Sequence, residues 1–123
     1  LGVNTAVKIF ADVLVKHAQP LGAPAISHVA RETVQRGLAD AIIMTGPATG
    51  SPAALHDLQT AKDAVPQAPV LVGSGLDESN VAEFMSVADG AIVGTSLKLG
   101  GLIHNRVDPA RVQRLARLIK QPF

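Results

Sequence analysis

Val70-Leu71-Val72-Gly73-Ser74-Gly75 and, one helix further on, Ala88-Asp89-Gly90-Ala91-Ile92-Val93-Gly94-Thr95-Ser96 are the stretches on which the fold turns. Each reads as a short apolar strand running into a glycine-containing loop. Glycine lets the backbone approach an anion closely, and loop N–H groups beside a helix N-terminus favour negative charge. In (β/α)8 barrels a phosphate commonly sits between the loops after strands seven and eight. Two such loops in succession near the end of the chain fit that arrangement, with Gly73, Ser74, Gly75, Gly94 and Thr95 as phosphate ligands. The plainer alternative is that these glycines only make tight βα turns. A Rossmann fingerprint is not present, because no G-x-G-x-x-G follows a first strand.

Outward from these loops the same unit recurs. Val7 to Val13 (VKIFADV) is a β-branched apolar run, and Ile26 to Gly37 follows as a helix with Gly37 suited to its C′ position. Ala41 to Met44 (AIIM) is a second strand; Ser51 can cap the next helix, with Pro52 at its first position and its end near Val65. Val70 to Val72 is the third strand, after which Asp77 or Ser79 caps a helix through Val87. Ala91 to Val93 is the fourth strand, and Asp108-Pro109 opens a last helix to Ile119. Leu1 to Asn4 reads as the end of an earlier helix. Near-continuous apolar strands alternating with helices imply an α/β fold with a parallel sheet covered by helices. A doubly wound sheet and half of a barrel both satisfy that order, and the two glycine loops favour the half barrel.

The 123 residues suit one domain, 1–123, and 47% hydrophobic with 17% charged residues can bury a core. A net charge of +1 and the lack of Tyr and Trp give no footprint for nucleic acid. Without cysteine there is no disulfide and no thiolate chemistry. No apolar run is long enough to span a bilayer, and none reads as a secretory signal. A soluble, cytoplasmic protein is expected. The chain starts at Leu1 and not Met, which suggests that something upstream is missing.

Further candidates lie at the ends of the first two strands. Asp12 and Lys16 are four apart, so on a strand they project to the same side, near the carboxyl end where barrels keep catalytic groups. A lysine beside a carboxylate can bind an anion, move a proton or form a Schiff base; it can equally be a structural ion pair. His17 is a lesser candidate. Thr45-Gly46-Pro47-Ala48-Thr49-Gly50 offers Thr45, Gly46 and Thr49 as ligand-loop residues, or simply a rigid turn. Lys98 can reach a phosphate or stay in water. His28 and His56 sit within helices and read as surface or packing residues, and His104-Asn105 reads as a polar loop before the last helix that faces water. Arg106, Arg111, Arg114, Arg117 and Lys120 read as the solvated edge of the last helix. No His, Asp and Glu spacing specifies a metal.

Phe10-Ala11-Asp12-Val13, Val15-Lys16-His17-Ala18, Ala39-Asp40-Ala41-Ile42-Ile43, Thr45 to Gly50, Val70 to Gly75, Ala88 to Thr95 and Val107-Asp108-Pro109 together resemble the BtpA/SgcQ family. The resemblance covers essentially the whole chain and implies a (β/α)8 fold, of which these residues match strands five to eight. It also implies association with photosystem I biogenesis, with peripheral attachment at the thylakoid surface, and relatives outside phototrophs imply a more general role. The family's first half is absent, which predicts either a longer polypeptide or self-association to cover two unpaired sheet edges. Two functions follow. One is a barrel enzyme for a phosphorylated small molecule, with no cofactor evident and flavin mononucleotide as a narrower possibility. The other is a non-enzymatic assembly or stability factor for photosystem I that keeps a vestigial phosphate site.

Overall fold

A computed structural model describes residues 7–13, 22, 24–45 and 52–120. The described residues form four strands, β1 (Phe10–Val13), β2 (Ala41–Met44), β3 (Val70–Val72) and β4 (Gly90–Ala91). These form one sheet in the order β1-β2-β3-β4, every pair parallel. Between and after them run α1 (Ile26–Gln35), α2 (Pro52–Ala64), α3 (Val81–Met85) and α4 (Pro109–Ile119). The α/β reading with four parallel strands therefore holds.

The strand residues Val13, Ile42, Met44, Val70 and Val72 share one buried cluster with Ala30 of α1, Leu58 and Ala61 of α2, Val81 and Phe84 of α3, and Leu115 of α4. All four helices therefore pack on one face of the sheet. Right-handed crossovers between successive parallel strands give this when the strand order never reverses. A doubly wound sheet would place helices on both faces. On the opposite face Asp12, Ile43, Leu71 and Gly90 stand in register across the four strands, flanked by the exposed Phe10 and Ile92.

Several boundaries move for local reasons. β1 pairs only from Phe10, because its partner β2 begins at Ala41. β4 ends at Ala91, not Val93; one more bond joins Ile92 N–H to the Val72 carbonyl, and then β3 has turned away into its loop. The Gly37 position is right, but the left-handed residue is Leu38 (φ 56°). At Gly37 a Cβ would lie 2.5 Å from the Thr33 carbonyl oxygen. α4 starts as expected: Pro109 is its first residue, and the Asp108 carboxylate accepts from Ala110 N–H at 2.9 Å. Neither Asp77 nor Ser79 caps α3. Asp77 instead closes a turn by accepting the Ser79 N–H and hydroxyl, and α3 begins at Val81. The expected Ser51 cap and the Leu1 to Asn4 helix end lie outside the described residues. No helix among the described residues is long and apolar enough to cross a membrane.

The amino ends of the strands carry one device twice. Asp40, directly before β2, accepts Ile9 N–H at 2.9 Å and the Lys8 ammonium at 3.0 Å. Asp89, directly before β4, accepts Val70 N–H at 2.8 Å and the Lys62 ammonium. The Ile9 N–H, with the Lys8 ammonium, holds the Asp40 carboxyl below its ordinary value. Partial burial pushes the Asp89 carboxyl up, but the Lys62 ammonium and Val70 N–H outweigh it and hold it low as well. Carboxyls depressed in the folded state add stability that is fully present above their unfolded pKa of about 4 and is lost as pH falls through the folded values. The melting temperature is thus expected to fall below about pH 4, and the Asp40→Asn, Asp89→Asn double variant to show a flatter acid limb. Thermal melts from pH 6 to pH 3 test this; an equally steep decline in the variant would show that other groups govern it.

Candidate phosphate cleft

At the carboxyl ends of β3 and β4 the two glycine loops form the walls of one cleft of about 640 Å³. Gly73, Ser74, Gly75, Gly94 and Thr95 all line it, so the five residues singled out as phosphate ligands are brought together. The volume falls in the range of small-molecule sites. Among the described residues, the backbone N–H groups of Gly75, Gly94 and Thr95 find no acceptor in the protein, and donors of this kind are what an anion needs.

The cleft is held by side chains from both loops. Ser96 donates its hydroxyl to the Leu76 carbonyl at 2.6 Å and so ties the β4 loop to the β3 loop. Asn80 reaches back along the β3 loop, donating to the Gly75 carbonyl at 3.0 Å and accepting the Asp77 N–H at 2.9 Å. The Ser79 hydroxyl, with the Ser79 and Asn80 N–H groups, keeps the Asp77 carboxyl below its usual range against the opposing effect of burial. Thr95–Leu97 is one 3-10 turn, and α3 starts six residues beyond Gly75. The candidate donors are accordingly loop amides, with Thr95 at the start of a single 3-10 turn, and, contrary to expectation, no α-helix N-terminus stands directly after Gly75.

The glycines differ in what they do. Gly75 has φ 73°, in the left-handed region that favours glycine. At Gly73 a Cβ would lie 2.1 Å from Thr45 Oγ1 and 2.6 Å from Ile43 Cγ2, so glycine there serves the packing of β3 against β2. At Gly94 a Cβ would meet nothing within 4 Å, and packing does not call for glycine.

Of the remaining candidates, Asp12 is the penultimate residue of β1 and is exposed, and its carboxylate accepts the Thr45 hydroxyl at 3.0 Å. Thr45 thus sits between Asp12 and Gly73. With β2 between β1 and β3, Asp12 stands two strand spacings from the β3 loop, roughly 10 Å. Lys16, His17, Gly46 and Thr49 lie outside the described residues. Lys98 donates to the Ile103 carbonyl at 2.7 Å, and Asn105 to the Leu99 carbonyl at 2.8 Å. Both hold the segment after β4 together; Asn105 is half-buried rather than fully turned to water. His28, His56 and His104 are exposed. Among the described residues no three His, Asp or Glu side chains cluster as metal ligands would.

Arg111 departs from its expected place on a solvated edge. It lines the cleft and donates from Nη1 to the Ser96 carbonyl at 3.1 Å. The signal was faint: Arg111 lies three residues after the Asp108 cap, and its Nε is 3.7 Å from the Asp108 carboxylate. Ser96 and Asn80 likewise carry no local sequence signal of their ties across and along the loops.

A parallel sheet with its helices on one face and glycine loops at its carboxyl edge defines a TIM-barrel-like α/β protein. In agreement, the structure is similar to phosphoribosyl anthranilate isomerase from Thermococcus kodakaraensis, with a TM-score of 0.61 over 95% of this chain and 54% of that one. At 15% identity that likeness speaks for the fold alone. The chain belongs to the BtpA family, whose model matches residues 2–121. It is 49% identical to the photosystem I biogenesis protein BtpA of Synechocystis over 89% of this chain and 38% of that protein. It is 44% identical to a protein of Thermococcus kodakarensis over 94% and 43%, and 36% identical to a mitochondrial protein of Caenorhabditis elegans over 90% and 40%. The chain thus spans about two fifths of the length of these relatives.

Proposed function

We propose that these residues form the second half of a BtpA-type barrel, in which the β3 and β4 loops bind the phosphate of a small phosphorylated molecule. One observation carries the reading: Gly75, Gly94 and Thr95 line one cleft, and their N–H groups find no acceptor among the described residues. With the phosphate held there, the body of the ligand extends along the carboxyl edge of the sheet toward Asp12. A separation of roughly 10 Å suits a sugar phosphate or nucleotide. Asp12, oriented by the Thr45 hydroxyl, is then the group nearest the chemistry, in the role of a proton acceptor. The uncovered sheet face with exposed Phe10 and Ile92 is where the first half of the barrel packs.

The test is a thermal-shift screen with sugar phosphates, nucleotides and flavin mononucleotide, using inorganic phosphate and sulfate as controls. A ligand that binds only the folded state raises the melting temperature, by the equivalent of about 2.7 kcal/mol at a hundred times its Kd. A selective rise with one phosphate ester is expected. A cooperative melt that none of the panel moves would refute a working phosphate site. Flavin mononucleotide is a narrower version, since its phosphate can use the same loops; yellow colour with visible absorbance in the purified protein checks it.

The Synechocystis relative supports a second reading, in which the protein assembles or stabilises photosystem I at the thylakoid surface and keeps the cleft as a remnant. Co-sedimentation with thylakoid membranes or photosystem subunits is the outcome this reading requires. Similarity to a protein of Caenorhabditis elegans, which has no photosystem, weighs toward an older activity that both settings share.

A further inference from the structure

The cleft has one cation among its described lining residues. Besides Arg111, the ionisable group on its walls is Asp77, whose carboxyl is held ionised by its donors. Arg111 sets a full positive charge in the same walls; with it removed, the Asp77 carboxylate would oppose any anion entering the cleft. Arg111 is also held in place. Nη1 donates to the Ser96 carbonyl, Nε lies near the Asp108 carboxylate, and the side chain remains 33% exposed. A guanidinium offers five N–H donors in a rigid fork matched to two oxygens of a phosphate, and two of the five are directed by these contacts.

We infer that Arg111 is the charged ligand of the cleft, and that it makes the site selective for phosphate monoesters, which carry two negative charges, over singly charged diesters. This deepens the phosphate reading and rests on it. The loop amides supply partial charges that serve any anion, whereas the arginine supplies the full charge that separates a dianion from a monoanion. The sequence groups Arg111 with Arg106, Arg114, Arg117 and Lys120 as one basic edge of the last helix. The structure separates it from Arg114, which pairs with Glu78 at 3.0 Å and does not line the cleft.

The experiment measures binding of methyl phosphate and dimethyl phosphate at pH 8 by calorimetry, on the protein in the length its host makes. Arg111→Gln, Arg111→Lys and Arg114→Gln are compared with the unaltered protein, and a thermal melt of each confirms that it is folded. The unaltered protein is expected to prefer the monoester. Arg111→Gln should weaken monoester binding at least tenfold and shrink that preference, Arg111→Lys should retain part of both, and Arg114→Gln should change neither. Equal monoester affinity in the unaltered protein and a folded Arg111→Gln would overturn the inference and leave the phosphate site standing. Equal losses in Arg111→Gln and Arg114→Gln would also overturn it, by pointing to general surface charge. Absence of monoester binding in the unaltered protein would remove the phosphate reading and this inference together. Should Arg111→Gln unfold, the folded Arg111→Lys variant decides: unaltered affinity and preference count against a role for the guanidinium fork.

Discussion

Replacing Gly73 with alanine is expected to lower the melting temperature by roughly 10 °C, a cost of about 2 kcal/mol for overpacking a closed site. The added Cβ would lie 2.1 Å from Thr45 Oγ1 and 2.6 Å from Ile43 Cγ2, distances no side chain tolerates without moving. The neighbours have little room to give. Ile43 is buried and β-branched in a strand paired on both sides, so its Cγ2 turns away only with a rotamer change. Thr45 can rotate, but the rotation breaks its hydrogen bond to Asp12 and releases that carboxylate. The same substitution should therefore disturb whatever Asp12 does, even where the protein remains folded. Differential scanning calorimetry of the alanine variant decides; a change under 2 °C would mean that β3 and β2 are not packed as closely as described.

Replacing Gly94 with aspartate should have the opposite profile, with binding lost and stability kept. A Cβ at this position meets nothing within 4 Å, so the cost in stability is at most about 1 kcal/mol. The new carboxylate enters the cleft beside the Gly75 and Thr95 N–H groups, which find no acceptor among the described residues, and opposes an incoming phosphate with its own charge. Affinity for a phosphate ester that binds the unaltered protein is expected to fall a hundredfold or more, about 2.7 kcal/mol by the usual conversion. Titration calorimetry beside a melting curve makes the comparison. Undiminished affinity with an unchanged melt would place the anion elsewhere. Gly75 is the poorer choice, because its φ of 73° makes any replacement costly to the backbone, and lost binding there could reflect lost structure.

The pair of glycines also marks how far the sequence could be read. Both follow short apolar strands, and both were grouped as phosphate ligands. Only the approach of Thr45, twenty-eight positions earlier in the chain, separates a glycine that packing demands from one it does not. Asp40 and Asp89 were legible as parts of a motif, yet their work at the amino ends of the strands depends on Ile9 and Val70, which strand pairing alone brings to them. Arg111 was misplaced for a similar reason. Helical spacing groups residues on one face, but the rotation of α4 against the sheet decides which of them meets the cleft.

From the sequence by itself came the order of strands and helices, the parallel sheet, the Asp108-Pro109 start of the last helix and the two glycine loops. These rest on signals spanning a few residues: β-branched runs, proline and glycine punctuation, and the pull of a capping carboxylate on a nearby N–H. The tertiary structure decided that all four helices share one face, that Ser96 ties the two loops together, that Thr45 links Asp12 to Gly73, and that Arg111 lines the cleft. Each of these depends on contacts between residues distant in the chain, 15 to 33 positions apart for the hydrogen bonds, or on which face of the sheet or helix is buried. Such contacts are fixed by how the elements pack together to bury the core, and no local preference of the chain specifies that packing.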